Sequence, residues 1–136
     1  MKSILLIFVS TFLLTSCILS TWDVRLSLKN NTSNKIRYYE KIMNKDVFLP
    51  DTSDCSIGEL NWVDSNSEHV IRRPEKWEFA LRDKPEKILR IYIINEDTMS
   101  YYGTCQVFKK QIFIKRLDLT FDDLKRLNWV ISFEGK

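Results

Sequence analysis

The sequence predicts a mainly β fold, a two-layer antiparallel β-sandwich of immunoglobulin-like or similar type, with two or three short helices in the connections. The chain contains a single alanine, the strongest helix former, whereas β-branched and aromatic residues are plentiful. Six or seven segments of strand length follow one another. Helices of crossover length do not alternate with them, as a parallel α/β sheet would require.

The first 16 residues have the form of a signal peptide. Lys2 is followed by an apolar stretch of about eleven residues, too short for a transmembrane helix, which needs about 20. The stretch ends in Leu14-Thr15-Ser16-Cys17, which resembles the lipobox of bacterial lipoproteins. This resemblance implies that Cys17 is lipidated and becomes the new N-terminus. The alternative is an ordinary secretory signal with a chance cysteine.

The same resemblance implies an attachment in the cell envelope. Two or three acyl chains anchor a protein stably, because each buried methylene contributes about 0.8 kcal/mol. Ile18, rather than the aspartate that retains such proteins at the inner membrane, follows the cysteine. We expect an outer-membrane lipoprotein that faces the periplasm, with the cell surface as the alternative. Residues 1–16 are then the signal peptide, residues 17–21 a tether and residues 22–136 one domain.

Alternating apolar and polar residues predict the first two strands. Residues 22–29 alternate, with Val24 on the same apolar face as Leu26, and residues 35–42 alternate again. Residues 30–34 between them are Asn, Ser and Thr, which favour turns. We therefore expect the two strands to form a hairpin.

The middle of the chain contains most of the turn-forming residues. Residues 47–49 form a short apolar piece before a proline and predict an edge strand. Residues 51–67 give no firm prediction. Residues 68–72 predict a short strand, and residues 75–82, which follow Pro74, predict a short helix.

The C-terminal half alternates between strands and helices. Residues 87–95 are apolar on both faces, which is typical of a central strand. Residues 98–108 stay open between helix and loop, because their helical pattern contains a glycine. Residues 111–119 and 129–133 predict strands. Thr120, with an acid three positions later, predicts a capped helix between them.

Three segments of the mature chain carry a second resemblance. Residues 117–133 resemble the C-terminus of small uncharacterised lipoproteins of gut Gram-negative anaerobes, and only this stretch is distinctive. The strand–turn–strand at residues 28–36 and the strand end at residues 93–97 fit the same pattern. The resemblance implies a domain of unknown function, and no catalytic or binding residues come with it.

Cys55 and Cys105 remain once Cys17 is lipidated, and they form a candidate disulfide. In an oxidising compartment, closing a loop of about 50 residues stabilises the fold by roughly 3–4 kcal/mol on the chain-entropy model. The alternative is two separate buried thiols.

Composition argues against several classes of function. The chain has 21 basic and 18 acidic residues, so no clustered positive field for nucleic acid is indicated. Three glycines are too few for a phosphate-binding loop, and one histidine with scattered cysteines argues against zinc. The spacing of the acids matches no calcium loop. We therefore expect no metal and no cofactor.

Aromatic side chains are the best candidates for a binding surface. Aromatic rings stack on sugars and anchor protein contacts, although in a small sandwich most of them build the core. We expect Trp77 and Trp129 in the core. Trp62 and the pair Tyr101 and Tyr102 are the candidate exposed platform.

Two functions follow from these expectations. The first is a non-enzymatic envelope lipoprotein that binds a protein or glycan partner or serves an accessory role. The second is a small periplasmic hydrolase or inhibitor that uses His69, the only histidine, and nearby acids. A cleft joining His69 to a carboxyl group of shifted pKa favours the second. An exposed aromatic patch around Trp62 or the tyrosine pair favours the first.

Overall fold

The computed structural model describes residues 22–48 and 57–135. The signal peptide, the lipobox with Cys17, the tether and Cys55 lie outside these residues. The described part contains seven strands and three helices: β1 (Asp23–Asn30), β2 (Ile36–Asn44), β3 (Asn61–Val63), β4 (Ser67–Arg73), α1 (Glu78–Arg82), β5 (Lys87–Asn95), α2 (Glu96–Lys109), β6 (Lys115–Leu119), α3 (Phe121–Arg126) and β7 (Val130–Phe133).

The strands form two sheets that pack face to face. The strand order is β4-β1-β7 in one sheet and β3-β2-β5-β6 in the other. β1 and β7 are parallel, and every other pair of neighbouring strands in the described part is antiparallel. The predicted mainly β sandwich with two or three short helices is confirmed, and the number of helices in the described part is three. Its core lies between the sheets and includes Leu26, Leu28, Tyr38, Ile71, Trp77, Leu89, Ile91, Ile93 and Ile131.

β1 and β2 do not form the expected hairpin, because they belong to different sheets. The chain crosses between the sheets at Asn30, which is fully buried. The Asn30 amide donates to the carbonyl oxygens of Asn34 at 2.8 Å, Val63 at 3.3 Å and Asp64 at 3.0 Å. The Asn30 side chain therefore satisfies backbone carbonyl groups at the point where the chain crosses. Residues 30–34 accordingly connect the two sheets instead of forming a hairpin turn within one sheet.

Val24 does not share the buried face of Leu26, contrary to the predicted alternation. It is 55% exposed, whereas Leu26 is fully buried. The pairing of β1 with β4 shifts register between Asp23 and Leu26, and such an irregularity turns the intervening side chains out of phase. The first residues of β1 therefore present an apolar side chain to the surface.

Residues 47 and 48 are not a strand, so the predicted edge strand is wrong over its described part. Arg90, which is 2% exposed, donates to the carbonyl oxygens of both Val47 and Phe48. Arg90 also pairs with Asp118 at 2.6 Å. The carbonyl oxygens of Val47 and Phe48 thus accept hydrogen bonds from the buried Arg90 guanidinium group instead of from a neighbouring strand.

α2 packs on the outer face of the larger sheet and builds a second core. Val107 and Phe108 of the helix are fully buried against Tyr92 and Ile94 of β5. The expectation of a central strand buried on both faces is therefore confirmed for β5. No helix within residues 22–48 and 57–135 is long and apolar enough to cross a membrane.

The helices follow local sequence signals to different degrees. α3 begins with the predicted capping box: Thr120 N donates to the Asp123 carboxylate at 2.9 Å, and Asp123 N donates to Thr120 Oγ1 at 3.2 Å. α1 begins at Glu78, later than expected, and is a single π-helical turn. The open segment is helical, with a break at Gly103, whose φ of 71° suits glycine.

Candidate functional site

Trp62 lies on the short edge strand β3, directly opposite Arg37 of β2. Side chains alternate along a strand, and Val63 points into the core with 2% exposure, so Trp62 points outwards. Its side chain is 52% exposed. An edge strand of only three residues therefore places a large indole at the surface, next to the helix side of the larger sheet.

The indole forms one wall of an open groove between β3 and α2, with a volume of about 490 Å³. Apolar side chains from both walls meet polar ones from the sheet and the helix. The lining residues are Arg37, Glu59, Leu60, Trp62, Glu96, Met99, Ser100 and Thr104. We call this the Trp62 groove.

An ion pair joins two of the residues that line the Trp62 groove. Arg37 binds the Glu96 carboxylate through two hydrogen bonds, from Nε at 2.5 Å and from Nη2 at 2.8 Å. Donation from Arg37 lowers the pKa of the Glu96 carboxyl group. Glu96 is the first residue of α2, where the helix dipole also favours a negative charge. The pair joins the sheet to the start of the helix.

Two cations lie near the Trp62 ring. The guanidinium carbon of Arg37 is 5.4 Å and the Lys35 Nζ is 5.2 Å from the ring centroid. Lys35 also lies 3.7 Å from a carboxylate oxygen of Asp64. Such contacts hold an aromatic ring in one orientation and contribute about 0.5–1 kcal/mol at exposed sites.

The structure separates the two halves of the predicted aromatic platform. Tyr101 and Tyr102 are 81% and 39% exposed, and their ring centroids are 4.7 Å apart. They belong to α2 but do not line the Trp62 groove, whose helix wall is formed by neighbouring residues. The expected core positions are confirmed for Trp77, which is fully buried, and Trp129 packs partly buried against the same core.

His69 lies at a second site, a cleft between the two sheets. The cleft has a volume of about 480 Å³ and opens where the β2–β3 edge faces β4. Its lining residues are Tyr38, Glu40, Asn61, Glu68, His69, Val70, Ile71 and Arg72. We call this the inter-sheet cleft. The only histidine and two glutamates, Glu40 and Glu68, thus line the same cleft.

Glu40 is the unusual group in the inter-sheet cleft, because its side chain points between the sheets. Burial raises the pKa of the Glu40 carboxyl group, although the Asn61 amide donates to it at 3.3 Å. The fully buried Tyr38 packs edge-on against His69, with ring centroids 5.8 Å apart. The Tyr38 hydroxyl has no hydrogen-bond partner within the described part of the chain.

The inter-sheet cleft offers proton donors and acceptors but a limited set of nucleophiles. Among the described residues that line it there is no serine or cysteine, so a Ser–His or Cys–His arrangement does not form there. Two carboxyl groups, of which Glu40 has the raised pKa, are the elements of acid–base hydrolysis. The sequence does hold a signal for Glu40, since it is the one acid of β2 and alternation places it on the same face as Tyr38 and Ile42.

Cys105 is disulfide-bonded, and its partner lies outside the described residues. Its pairing with Cys55 therefore stays a prediction. No group of three or more histidine, cysteine, aspartate or glutamate side chains in residues 22–48 and 57–135 is arranged to hold a metal ion.

No protein-family model matches this chain, and no curated protein or solved structure gives a significant match.

Proposed function

We propose that this chain is a membrane-anchored lipoprotein of the cell envelope, attached through lipidated Cys17 at the outer membrane and facing the periplasm. Its β-sandwich is a non-enzymatic binding or accessory domain for a protein or glycan partner. The lipobox-like Leu14-Thr15-Ser16-Cys17 supports the anchor. The observation that carries the binding role is the half-exposed Trp62, which Arg37 contacts in an open groove.

The Trp62 groove has the composition of an interaction hot spot. Tryptophan, arginine and methionine are enriched at the centres of protein interfaces, and Trp62, Arg37 and Met99 line one groove here. The ion pair between Arg37 and Glu96 orders the groove before a partner arrives. A pre-ordered site loses less side-chain entropy on binding and therefore binds more tightly.

Between the two partner classes, the contacts around the ring favour a protein. A sugar needs a free aromatic face to stack on, but Lys35 and Arg37 both lie within about 5.5 Å of the Trp62 ring centroid. Leu60 and Met99 add apolar surface that suits a partner's aliphatic side chain. A glycan remains the other outcome of the same experiment.

Site-specific photo-crosslinking in the native host tests this proposal. The crosslinking amino acid replaces either Glu59, which lines the groove, or Glu86, which lies on an exposed turn outside it. We expect a defined adduct only from position 59. Adding Trp62→Ala to that chain should abolish the adduct, whereas adding Tyr101→Ala should leave it. Binding of the chain to envelope polysaccharide is measured alongside. If the polysaccharide retains the unaltered chain but not Trp62→Ala, the partner is a glycan instead. If neither depends on Trp62, the binding proposal is overturned.

The anchor is tested separately by intact-mass analysis of protein from native membranes. We expect a mature chain that begins at Cys17 and carries acyl groups. A chain that retains residues 1–16, or a processed form without acyl groups, overturns the anchor and leaves the Trp62 groove unaffected.

One observation favours the second candidate function. Glu40, whose pKa burial raises, and His69 line the same inter-sheet cleft, as a hydrolase with an acid–base pair requires. Assays with ester, amide and glycoside substrates test it. Activity in the unaltered chain that both Glu40→Gln and His69→Ala remove supports a hydrolase, whereas activity unchanged by these substitutions excludes the cleft as its site.

A further inference from the structure

A second exposed apolar surface lies at the start of β1. Trp22 is 51% and Val24 is 55% exposed, and both line a shallow groove of about 410 Å³. Its remaining lining residues are Asp23, Arg25, Lys76 and Glu78. We call this the Trp22 surface. The irregular register of β1, which turns Val24 outwards, is the reason that two apolar side chains are presented together.

The charges of the Trp22 surface are mutually compensated. Arg25 Nη2 contacts Asp23 Oδ2 at 2.5 Å and Glu78 Oε2 at 2.7 Å. Donation from Arg25 lowers the pKa of both carboxyl groups, so both stay ionised. Their combined charge with Arg25 is −1, and the exposed Lys76 brings the surface to neutrality. A neutral surface with an exposed lysine does not repel an anionic membrane.

The Trp22 surface is also the part of the described domain nearest the anchor in sequence. Trp22 follows Cys17 by five residues, and an extended chain of that length spans at most about 18 Å. A bilayer is about 40–45 Å thick in total, of which the hydrocarbon core takes about 30 Å. The two headgroup layers make up the rest, so each is thinner than the reach of the tether. A lipidated Cys17 therefore keeps Trp22 within reach of the headgroups.

We infer that the Trp22 surface docks on the headgroup layer of the membrane that holds the anchor. The inference rests on the proposed lipidation of Cys17. Tryptophan is enriched at this depth, because its ring is apolar and its N–H is polar. Val24 adds apolar area, and Lys76 is attracted by anionic lipids.

Docking in this way orients the whole domain. β1 runs from Asp23 to Asn30, a length of about 23 Å at 3.3 Å per residue. At its far end, the Asn30 amide donates to the carbonyl oxygen of Val63, next to Trp62 in β3. The Trp62 groove therefore lies at the end of β1 that points away from the membrane, where a partner can reach it.

Fluorescence quenching by brominated lipids tests the docking. The full chain, purified from native membranes, is reconstituted in vesicles of phosphatidylethanolamine and phosphatidylglycerol with bromine on the acyl chains. We expect tryptophan emission to be quenched, Trp22→Phe to remove most of the quenching, and the matched variant Trp62→Phe to leave it unchanged. Both residues are about half exposed, so both replacements are compatible with folding.

Vesicle flotation separates the failure of the anchor from the failure of the docking. A chain that does not float with the vesicles contradicts the lipidation proposed above. A chain that floats but shows no quenching, or the same quenching after Trp22→Phe, overturns the docking alone. If Trp62→Phe, and not Trp22→Phe, removes the quenching, the Trp62 groove faces the membrane. That result also overturns the docking of the Trp22 surface.

Discussion

The guanidinium group of Arg37 lies 5.4 Å from the ring centroid of Trp62, its cross-strand neighbour, while it holds Glu96 with two hydrogen bonds. One side chain of β2 thus joins the edge strand β3 to the first residue of α2. All three residues line the Trp62 groove, so we expect the shape of the groove to depend on this junction.

Replacement of Arg37 tests the junction. We expect Arg37→Ala to lower the free energy of unfolding by about 1 kcal/mol, because it removes a partly exposed bidentate pair and a cation–π contact. Arg37→Lys retains the charge but not the two parallel hydrogen bonds. We therefore expect its free energy of unfolding to lie between those of the unaltered chain and Arg37→Ala. Urea unfolding measures both. The control is Arg82→Ala, which removes an exposed pair with Asp83; equal losses in Arg37→Ala and Arg82→Ala contradict the account.

Glu40→Gln tests the half-buried carboxyl group of the inter-sheet cleft. Because burial raises its folded pKa above the ordinary 4.5, Glu40 contributes stability that is complete below that value and is lost as the pH rises through the folded pKa. We expect Glu40→Gln to melt at a higher temperature than the unaltered chain at neutral pH. The difference shrinks on acidification.

Thermal melts across a pH series measure this difference, with Glu86→Gln on an exposed turn as the control. A Glu40→Gln variant that is less stable at neutral pH, or whose difference does not change with pH, contradicts the assignment of burial as the dominant effect on Glu40.

Removal of the Tyr38 hydroxyl is expected to stabilise the fold, whereas most core substitutions lower the free energy of unfolding. It is buried without a partner in the described part of the chain, and an unsatisfied buried donor costs about 1–3 kcal/mol. We therefore expect Tyr38→Phe to raise the free energy of unfolding by about 1 kcal/mol. Calorimetry of the full chain measures it, and a loss of comparable size shows that the hydroxyl is satisfied.

Arg90 is the most deeply buried charge of the described chain, and its removal is expected to be costly. It pairs with Asp118 and donates to two backbone carbonyl groups, so Arg90→Leu leaves several acceptors unsatisfied. We expect a loss of about 2–4 kcal/mol, discounted because Asp118 is 34% exposed. The control, Arg116→Leu, removes a more exposed partner of the same carboxylate; an equal loss contradicts the role of burial.

Local signals predicted much of the fold. The capping box at Thr120 and the doubly apolar segment of β5 identify their elements without help from the rest of the chain. The hairpin prediction failed because alternation shows that a strand has one buried face, not which sheet it joins. Asn30 decides that question through contacts with Val63 and Asp64, more than thirty residues away.

The candidate sites were only partly predictable for the same reason. Trp62 stands out by residue type, and its exposure follows from alternation with the buried Val63 in the edge strand β3. Its neighbours Arg37 and Glu96 are 59 residues apart and carry no local signal. Alternation in β2 places Glu40 on the core face with Tyr38 and Ile42, but it does not show that β4 and His69 lie across from it.

The dependence of partner capture on the Trp62 indole tests the central claim most directly. In the native host, adduct yield from a crosslinking residue at Glu59 is compared between the unaltered chain, Trp62→Ala and Tyr101→Ala. We predict that Trp62→Ala lowers the yield at limiting partner by at least about tenfold, equivalent to about 1.4 kcal/mol, and that Tyr101→Ala leaves it unchanged. An equal yield from Trp62→Ala and the unaltered chain, with both folded and anchored, contradicts the claim.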